Sequence, residues 1–282
     1  MKKFLAIIMA LAMVFAFAAC NGGTDGGNDE QSEERFTLRV GMECQYAPYN
    51  WTQADDSNGA VPIANNAGSY AYGYDVMIAK KICEANDWDL EVYAIDWNGL
   101  TPALQSDTLD MVIAGQSMTE ERMQEVDMAG PYFYASIVCV TKADSPFADA
   151  KGISELTGTC TAQAATIWYN SCLPQIEGAD IQTAAETAPA MITAVESGTV
   201  DFICTDMPTA MGACATYSDL VILDFTGTDD DFQVDEGEIN IGISVAKGNT
   251  ELFDAANAVL STMTKADFDA LMNEAISVQP EI

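Results

Sequence analysis

One arginine occupies a position where the physics of a helix start favours an acidic residue. Residues Gly115–Ser117 are typical of a turn, and Thr119 is typical of a helix N-cap. The third helical position usually carries an acid that closes a capping box and faces the positive end of the helix dipole. Here it carries Arg122. A guanidinium close to backbone N–H groups and the Ser117 hydroxyl predicts a socket for a carboxylate or another anion.

The competing interpretation is a surface arginine. The predicted helix runs through Glu121, Met123 and Val126, so Arg122 could instead pair with Glu121 or Glu125. Arginine is rare in this chain, which has only three of them against 43 acidic residues. Spacing alone leaves the two interpretations open.

Strand-like runs and helical patterns alternate along the chain and must position this arginine. The strand-like runs are Phe36–Met42, Leu90–Ile95, Asp110–Ala114, Ser136–Thr141, Thr159–Gln163, Val200–Cys204, Leu220–Phe225 and Ile241–Ala246. Helical periodicity is clearest over Tyr74–Ala85 and Thr187–Glu196. The alternation predicts an α/β protein with largely parallel sheets.

Polar or aromatic residues follow the ends of several predicted strands. Open α/β sheets bind ligands outside the carboxyl ends of their strands, so these residues are candidates for one site. They are Glu43, Tyr46, Trp97, Gly115, Ser117, Ala165, Thr166 and Asp206.

The N-terminal residues have the pattern of a secretory leader. Lys2 and Lys3 precede an apolar stretch that ends at Cys20, and the two alanines before Cys20 resemble a bacterial lipobox. We expect residues 1–19 to be a lipoprotein signal peptide, Cys20 to be lipidated, and residues 20–35 to be a flexible tether. The alternative is ordinary secretion, with Cys20 incidental.

Composition excludes several classes of function. Removing Lys2 and Lys3 with the leader takes the net charge from −32 to −34, which argues against nucleic acid and anionic lipid as partners. Histidine is absent, which excludes Ser-His-Asp and Cys-His chemistry and most zinc sites. We expect neither a metal nor a cofactor. Seven cysteines follow Cys20; a Cys160–Cys172 disulfide is one option, and Cys139 and Cys204 fit buried strand positions.

Several sequence blocks, taken in order, resemble a known family. They are VGMECQYAPY (40–49), GYDVMIAKKI (73–82), DWNGLTPALQS (96–106), LDMVIAGQSMTEERMQEVDMAGPYF (109–133), GTVDFICTDMP (198–208) and IGISVAKGN (241–249). The chain is similar here to the polar amino-acid-binding proteins of bacterial ABC importers, extracellular solute-binding family 3.

The resemblance implies a two-lobed, hinged, periplasmic-binding-protein-like α/β fold with two chain crossings. Lobe 1 would be residues 36–134 and 239–282, and lobe 2 would be residues 135–238. The implied protein is a non-enzymatic monomer, held on the outer face of the cell membrane by the lipid. It would capture an amino acid and deliver it to an ABC permease and its ATPase.

The resemblance also implies roles for the residues that bind the ligand backbone. Arg122 would clamp the α-carboxylate, Ser117 and the Gly115 carbonyl would add contacts, and Asp206 would bind the α-ammonium. From sequence alone, an equally good role for Asp206 is to cap the helix that contains Pro208.

Other implied contacts concern the ligand side chain. Tyr46 and Trp97 would sandwich it, Glu43 would reach its distal end, and Gln163 and Thr166 would approach from lobe 2, beside Ala165 where the family usually has glycine. The alternatives are that Tyr46 and Trp97 are core aromatics and that Glu43 is solvated. A longer segment at 51–72 predicts an extra loop over the cleft, and Asp110 and Asp201 fit structural roles.

Charge balance in a closed cleft narrows the ligand class. A zwitterion would neutralise Arg122 and Asp206 and leave Glu43 buried without a partner, which is costly. This predicts a basic or amide amino acid, with cystine as the competing ligand. Two further alternatives keep the same fold: a cyclohexadienyl dehydratase, in which Glu43 or Asp206 acts as an acid, and a sensory ligand module.

Overall fold

The computed structural model describes residues 35–280 of the 282-residue chain. Residues 1–34, with the predicted leader and Cys20, lie outside the described residues. The strands are β1 (Thr37–Met42), β2 (Gln45–Tyr46), β3 (Asn50–Gln53), β4 (Val61–Pro62), β5 (Tyr70–Tyr72), β6 (Asp89–Ala94), β7 (Met111–Val112), β8 (Val126–Phe133), β9 (Ile137–Lys142), β10 (Thr157–Thr161), β11 (Gly178–Ile181), β12 (Phe202–Asp206), β13 (Leu220–Leu223) and β14 (Ile241–Ala246). The helices are α1 (Tyr74–Asn86), α2 (Trp97–Gln105), α3 (Glu120–Glu125), α4 (Ala188–Glu196), α5 (Met207–Thr216), α6 (Glu236–Ile239), α7 (Thr250–Leu260) and α8 (Lys265–Val278).

Two five-stranded sheets organise these elements. The first has the order β6-β1-β7-β14-β8 and the second has the order β11-β10-β12-β9-β13. Apolar side chains such as Leu38, Val40, Cys139 and Phe202 are fully buried on these strands. The α/β class predicted from the sequence is confirmed.

Both sheets are mixed, so the prediction of largely parallel sheets is wrong in part. Strands β1, β6 and β7 run parallel, as do β10, β11 and β12, whereas β14 and β9 are antiparallel to their neighbours. Parallel neighbours need a crossover connection within one sheet. Strands β9 and β14 each enter from the other sheet, so no such crossover fixes their direction.

The chain passes between the two sheets twice. It leaves the first sheet after Phe133 and enters the second at Ile137; it leaves the second after Leu223 and returns at Ile241. The predicted lobe limits at 134/135 and 238/239 fall in these passages. Helix α8 packs against α1 and β8 and also against α5. The residue limits of the two lobes remain a prediction.

Two local expectations are wrong. Helix α3 ends at Glu125, and Val126 begins strand β8, which the sequence pattern missed. Proline within a run argues against a strand, and β8 contains Pro131; pairing with β14 overrides that local signal. The segment 51–72 forms most of a small antiparallel sheet, β2-β3-β5-β4, and does not line the cavity described below.

Helices within residues 35–280 are all too short or too polar to cross a membrane.

Candidate ligand-binding site

A cavity of about 420 Å³ lies between loops that follow strands of both sheets. Its size is in the range of pockets that hold small molecules. The lining residues are Trp97, Asn98, Thr101, Pro102, Gln116, Thr119, Glu121, Arg122, Glu125, Ala165, Thr166, Ile167, Asn170, Ser171 and Glu238. Three of the predicted site residues, Trp97, Arg122 and Thr166, are among them.

The wall on the first-sheet side holds Arg122 in a fixed orientation. Thr119 is the N-cap of α3 and accepts a 3.2 Å hydrogen bond from the Arg122 backbone N–H, as predicted. The guanidinium donates to the Ser117 carbonyl and lies 5.5 Å from the centre of the Trp97 ring. A planar guanidinium stacked on an indole keeps its edge free for a bidentate partner.

Arg122 has no carboxylate partner among the described residues. The ion pairs within residues 35–280 use Arg35, Arg39, Lys142, Lys247 and Lys265. The surface pair with an adjacent glutamate is therefore absent from the structure. Burial lowers the pKa of Arg122 to about 10, against the opposing effect of the nearby carboxylates. The charged guanidinium is thus only partly compensated by its own protein.

Asp206, at the end of β12, is fully buried and makes two kinds of contact. Its Oδ1 accepts a 2.9 Å hydrogen bond from the Thr209 N–H and so caps α5, which confirms the helix-cap interpretation. Its Oδ2 accepts a 2.8 Å hydrogen bond from the Tyr46 hydroxyl. Burial raises the pKa of Asp206, while the hydrogen bonds from Thr209 and Tyr46 lower it. No cation among the described residues pairs with it.

Glu43 is buried, with 6 % of its surface exposed, so the solvated alternative is wrong. Its Oε2 accepts one long hydrogen bond, 3.4 Å, from the Gln163 side chain, and its Oε1 is buried with no partner. Desolvation raises the pKa of Glu43 to about 7; the Gln163 hydrogen bond lowers it and the nearby Asp96 charge raises it. The Gln163 carbonyl in turn accepts a 2.7 Å hydrogen bond from Thr166.

The turn after β7 brings the remaining predicted residues to the same place. Gly115 has a φ of +63°, and a side chain there would meet Tyr46 Cε1 at 2.7 Å, so only glycine fits. Ser117 is buried, and its backbone forms an isolated bridge with Ile241. Tyr46 stacks on Tyr49 with ring centres 4.9 Å apart.

Contacts among the nine predicted residues form three groups. Contacts join Arg122 to Ser117 and Trp97, and others join Tyr46 to Asp206 and Gly115. Glu43 touches Gln163, which touches Thr166. Tyr46 is 2 % exposed and belongs to the core, as its alternative proposed, whereas Trp97 is half-buried in the cavity wall. The other six predicted residues do not line the cavity: Glu43, Tyr46, Gly115, Ser117, Gln163 and Asp206.

Sequence reasoning missed Gln116, which lines the cavity. It is buried, and its Oε1 accepts a 2.7 Å hydrogen bond from Ser244. The position of Gln116 between Gly115 and Ser117, two predicted site residues, is the sequence signal that could have identified it. Asp110 and Asp201 have the structural roles predicted for them, since they accept hydrogen bonds from the backbone N–H groups of Arg39 and Thr159.

The described cysteines are all free thiols, so the Cys160–Cys172 option is not used here. Cys139 and Cys204 are fully buried on neighbouring strands, as predicted. Within residues 35–280, no group of histidine, cysteine or acidic side chains is arranged to hold a metal ion.

The fold of this chain, with two mixed sheets and a small cavity between their loops, is that of a two-lobed α/β binding protein. The chain belongs to the bacterial extracellular solute-binding proteins, family 3, whose sequence profile matches residues 38–276. The family resemblance drawn from the sequence blocks is thereby confirmed.

Similar proteins bind several amino acids. The chain is 29 % identical to the arginine-binding extracellular protein ArtP of Bacillus subtilis, over 56 % of this chain and about half, 54 %, of that protein. It is 25 % identical to the L-cystine-binding protein TcyJ of Escherichia coli K12, over 92 % of this chain and 88 % of that protein. A solved ancestral arginine-binding protein bound to arginine is 27 % identical, with a TM-score of 0.66, and the match covers 85 % of this chain and 98 % of that one.

Proposed function

We propose that this protein captures a polar L-amino acid, basic or amide in its side chain, by binding its carboxylate to Arg122. The observation that carries the proposal is the guanidinium itself. It lies in the cavity wall, is fixed by the Ser117 carbonyl and Trp97, and has no carboxylate partner among the described residues. A ligand carboxylate would supply the missing charge with two parallel hydrogen bonds, which Arg offers and Lys does not.

The ligand ammonium would bind Asp206. A fully buried carboxylate without a cation is costly, and a ligand cation offsets that cost. In the structure, Asp206 Oδ2 accepts a hydrogen bond from the Tyr46 hydroxyl. In the complex the ammonium takes over that oxygen, and Tyr46 is released to face the ligand across from Trp97. The Gly115 carbonyl and Ser117 complete the contacts with the two backbone groups.

Glu43 would select the side chain of the ligand. Its unpaired Oε1 is buried beside Gln163 and requires a hydrogen-bond donor. A guanidinium, an ammonium or a side-chain amide offers that donor, and Gln163 and Thr166 would contact the same group from the second sheet. The second ammonium of cystine could reach Glu43 in the same way, so cystine is the competing ligand. The relatives similar to this chain include binding proteins for arginine and for cystine.

The proposal also includes where the protein acts and which partners it has. The protein would bind without catalysing a reaction, act as a monomer, and hand its ligand to an ABC permease driven by an ATPase. Cys20 would carry the lipid that holds it on the outer face of the membrane. Membership of an extracellular solute-binding family supports this assignment.

Thermal unfolding of the mature protein without Cys20 tests the proposal. The panel is the common amino acids, ornithine and cystine. A ligand at a thousand times its dissociation constant adds about 4 kcal/mol to the free energy of unfolding. We expect this for a basic or amide amino acid, and we expect Arg122→Ala to abolish it.

Arg39→Ala is the matched control, because Arg39 pairs with Asp110 away from the cavity. It should lower the melting temperature without changing the ligand-induced shift. A shift that survives in Arg122→Ala would contradict the carboxylate assignment, and a shift with acidic amino acids alone would contradict the use of Glu43.

A further inference from the structure

A buried polar network adjoins the proposed site. Its side chains make none of the proposed ligand contacts. Its centre is Asp75, in the first turn of α1, which is fully buried. Asp75 Oδ2 accepts a 2.7 Å hydrogen bond from Asn50 Nδ2, and Oδ1 accepts a 2.7 Å hydrogen bond from the Tyr132 hydroxyl. Burial raises the pKa of Asp75 to about 7, and the hydrogen bonds that it accepts lower it. No lysine or arginine of the described chain pairs with it.

Each branch of the network ends on a loop that carries proposed ligand contacts. Asn50 Oδ1 accepts a 2.7 Å hydrogen bond from the backbone N–H of Cys44, the residue after Glu43. The Tyr132 hydroxyl accepts a 3.0 Å hydrogen bond from the backbone N–H of Gly115. The two loops follow the neighbouring strands β1 and β7. One carboxylate therefore connects both of them.

The hydrogen bonds of the network all point toward Asp75. The Cys44 N–H donates to Asn50, which donates to Asp75; the Gly115 N–H donates to Tyr132, which also donates to Asp75. Only an ionised carboxylate accepts from both branches. An amide at this position would either set its NH₂ against the Asn50 NH₂, a second donor, or turn its NH₂ toward the Tyr132 hydroxyl, which would then lose its acceptor. If the Asn50 amide turned over to relieve that clash, the Cys44 N–H would lose its acceptor.

We propose that Asp75 is a positioning residue for the ligand site, since it fixes the loop of Glu43 and the loop of Gly115 relative to each other. This inference rests on the proposed function. Asp75 does not touch the ligand: it sets where Glu43, the Gly115 carbonyl and the Arg122-bearing segment meet it. Asp75 thus affects the affinity for the ligand because it is buried and because the hydrogen bonds that it accepts orient the two loops.

Exchanging the two side chains tests the inference. Asp75→Asn alone leaves one donor of the network without an acceptor, whereas Asn50→Asp with Asp75→Asn restores every donor–acceptor pair with the same atoms and total charge. The measurements are amide hydrogen exchange of the unliganded protein at residues 40–50 and 111–118, and the dissociation constant for L-arginine. In the single variant we expect both segments to exchange about tenfold faster and L-arginine to bind about tenfold more weakly. In the double variant both should recover.

Two further variants make the result specific. Asp110→Asn alters the opposite end of β7, where Asp110 holds the Arg39 backbone N–H, and should lower stability without changing the affinity. Tyr132→Phe removes one branch only, so exchange should rise at residues 111–118 and stay unchanged at 40–50. This variant decides the matter if Asp75→Asn does not fold.

Unchanged exchange in Asp75→Asn, or recovered exchange without recovered affinity in the double variant, would overturn the positioning role. If the unaltered protein binds no amino acid, the proposed function fails, and exchange alone still decides whether Asp75 fixes the two loops.

Discussion

Glu43 and Asp206 are both buried carboxylates, but they differ in how completely the protein satisfies them. Asp206, from the second sheet, accepts hydrogen bonds of 2.9 and 2.8 Å from Thr209 and Tyr46. Glu43, from the first sheet, accepts one of 3.4 Å, and its other oxygen has no partner. The fold uses both oxygens of Asp206 as hydrogen-bond acceptors. It buries Glu43 but leaves Oε1 without a hydrogen-bond donor.

Under the proposed function, this difference between Glu43 and Asp206 divides ligand recognition into two tasks. A group shared by all amino acids can be bound by a residue that also caps a helix, because its geometry never has to change. A group that varies among amino acids needs a residue that the fold leaves incomplete, since an unsatisfied buried group rejects ligands that lack the matching donor. We therefore infer that Asp206 sets general affinity and that Glu43 sets the choice of side chain.

Asp206→Asn should produce the largest effect. Asparagine is a good N-cap, so the free energy of unfolding should change by less than about 1 kcal/mol. The ligand ammonium would lose its counter-charge in a buried position, which costs about 2–5 kcal/mol of binding free energy. Calorimetric titration with the ligand identified in the panel measures the loss.

Asp201→Asn is the matched control, at the opposite end of β12, where Asp201 holds the Thr159 N–H at 2.7 Å. This change should reduce stability and leave affinity intact. Equal losses of affinity in the two variants would mean that disturbance of β12, rather than the charge of Asp206, weakens binding.

The pH dependence of stability tests the burial of Glu43 next. The pKa of Glu43 is raised from 4.5 to about 7 in the folded chain, so between these values the folded state binds more protons than the unfolded state. Unfolding free energy should therefore fall as pH rises through this window, by roughly 3 kcal/mol at most from this one group. Burial also raises the pKa values of Asp75 and Asp206, so both add to the slope.

Urea unfolding at pH 5 and pH 8, without ligand, measures the slope. Glu43→Gln should make it shallower, because one of the carboxylates with a raised pKa no longer titrates. An unchanged slope would show that Glu43 is not desolvated in solution as it is in the structure.

Glu43→Gln also tests the choice of side chain. It should weaken a cationic ligand such as L-arginine by about 1–3 kcal/mol and leave L-glutamine nearly unaffected, since the charge is lost but hydrogen-bonding capacity remains. Competition binding with both ligands gives the ratio directly. Equal weakening of both would assign Glu43 a structural part and remove it from selection.

Sequence patterns predicted the positions of the strands better than the directions in which they run within the sheets. All eight strand-like runs overlap strands of the structure, because β-branched and apolar side chains report burial locally. Strand β8 was missed because its signal comes from its partner β14 rather than from its own residues. Antiparallel pairing depends on which sheet the chain comes from, and no local pattern records that.

The candidate site was predictable to the extent that it depends on strand ends. Residues such as Trp97 and Asp206 follow strands, and Arg122 contradicts a helix-start rule, so each gives a local signal. The Asp75 network gives none, because it joins α1, β3 and β8 with two loops. Whether a carboxylate is satisfied also depends on distant partners, so the contrast between Glu43 and Asp206 became visible only in three dimensions.

The smallest expected effect concerns the loop that faces Glu43. Ala165 has a φ of +55°, a left-handed conformation that is strained for a residue with a side chain, and it follows Gln163 by two positions. Ala165→Gly should raise the unfolding free energy by up to about 1 kcal/mol, since the relieved strain slightly exceeds the added entropy of the unfolded chain. The neighbouring Ala164→Gly, where φ is not positive, should instead lower it. Affinity for L-arginine should stay within about twofold, because the Gln163 side chain that touches Glu43 is unchanged. If Ala165→Gly weakened L-arginine as much as Glu43→Gln, loop rigidity rather than an incomplete carboxylate would determine which side chain is accepted.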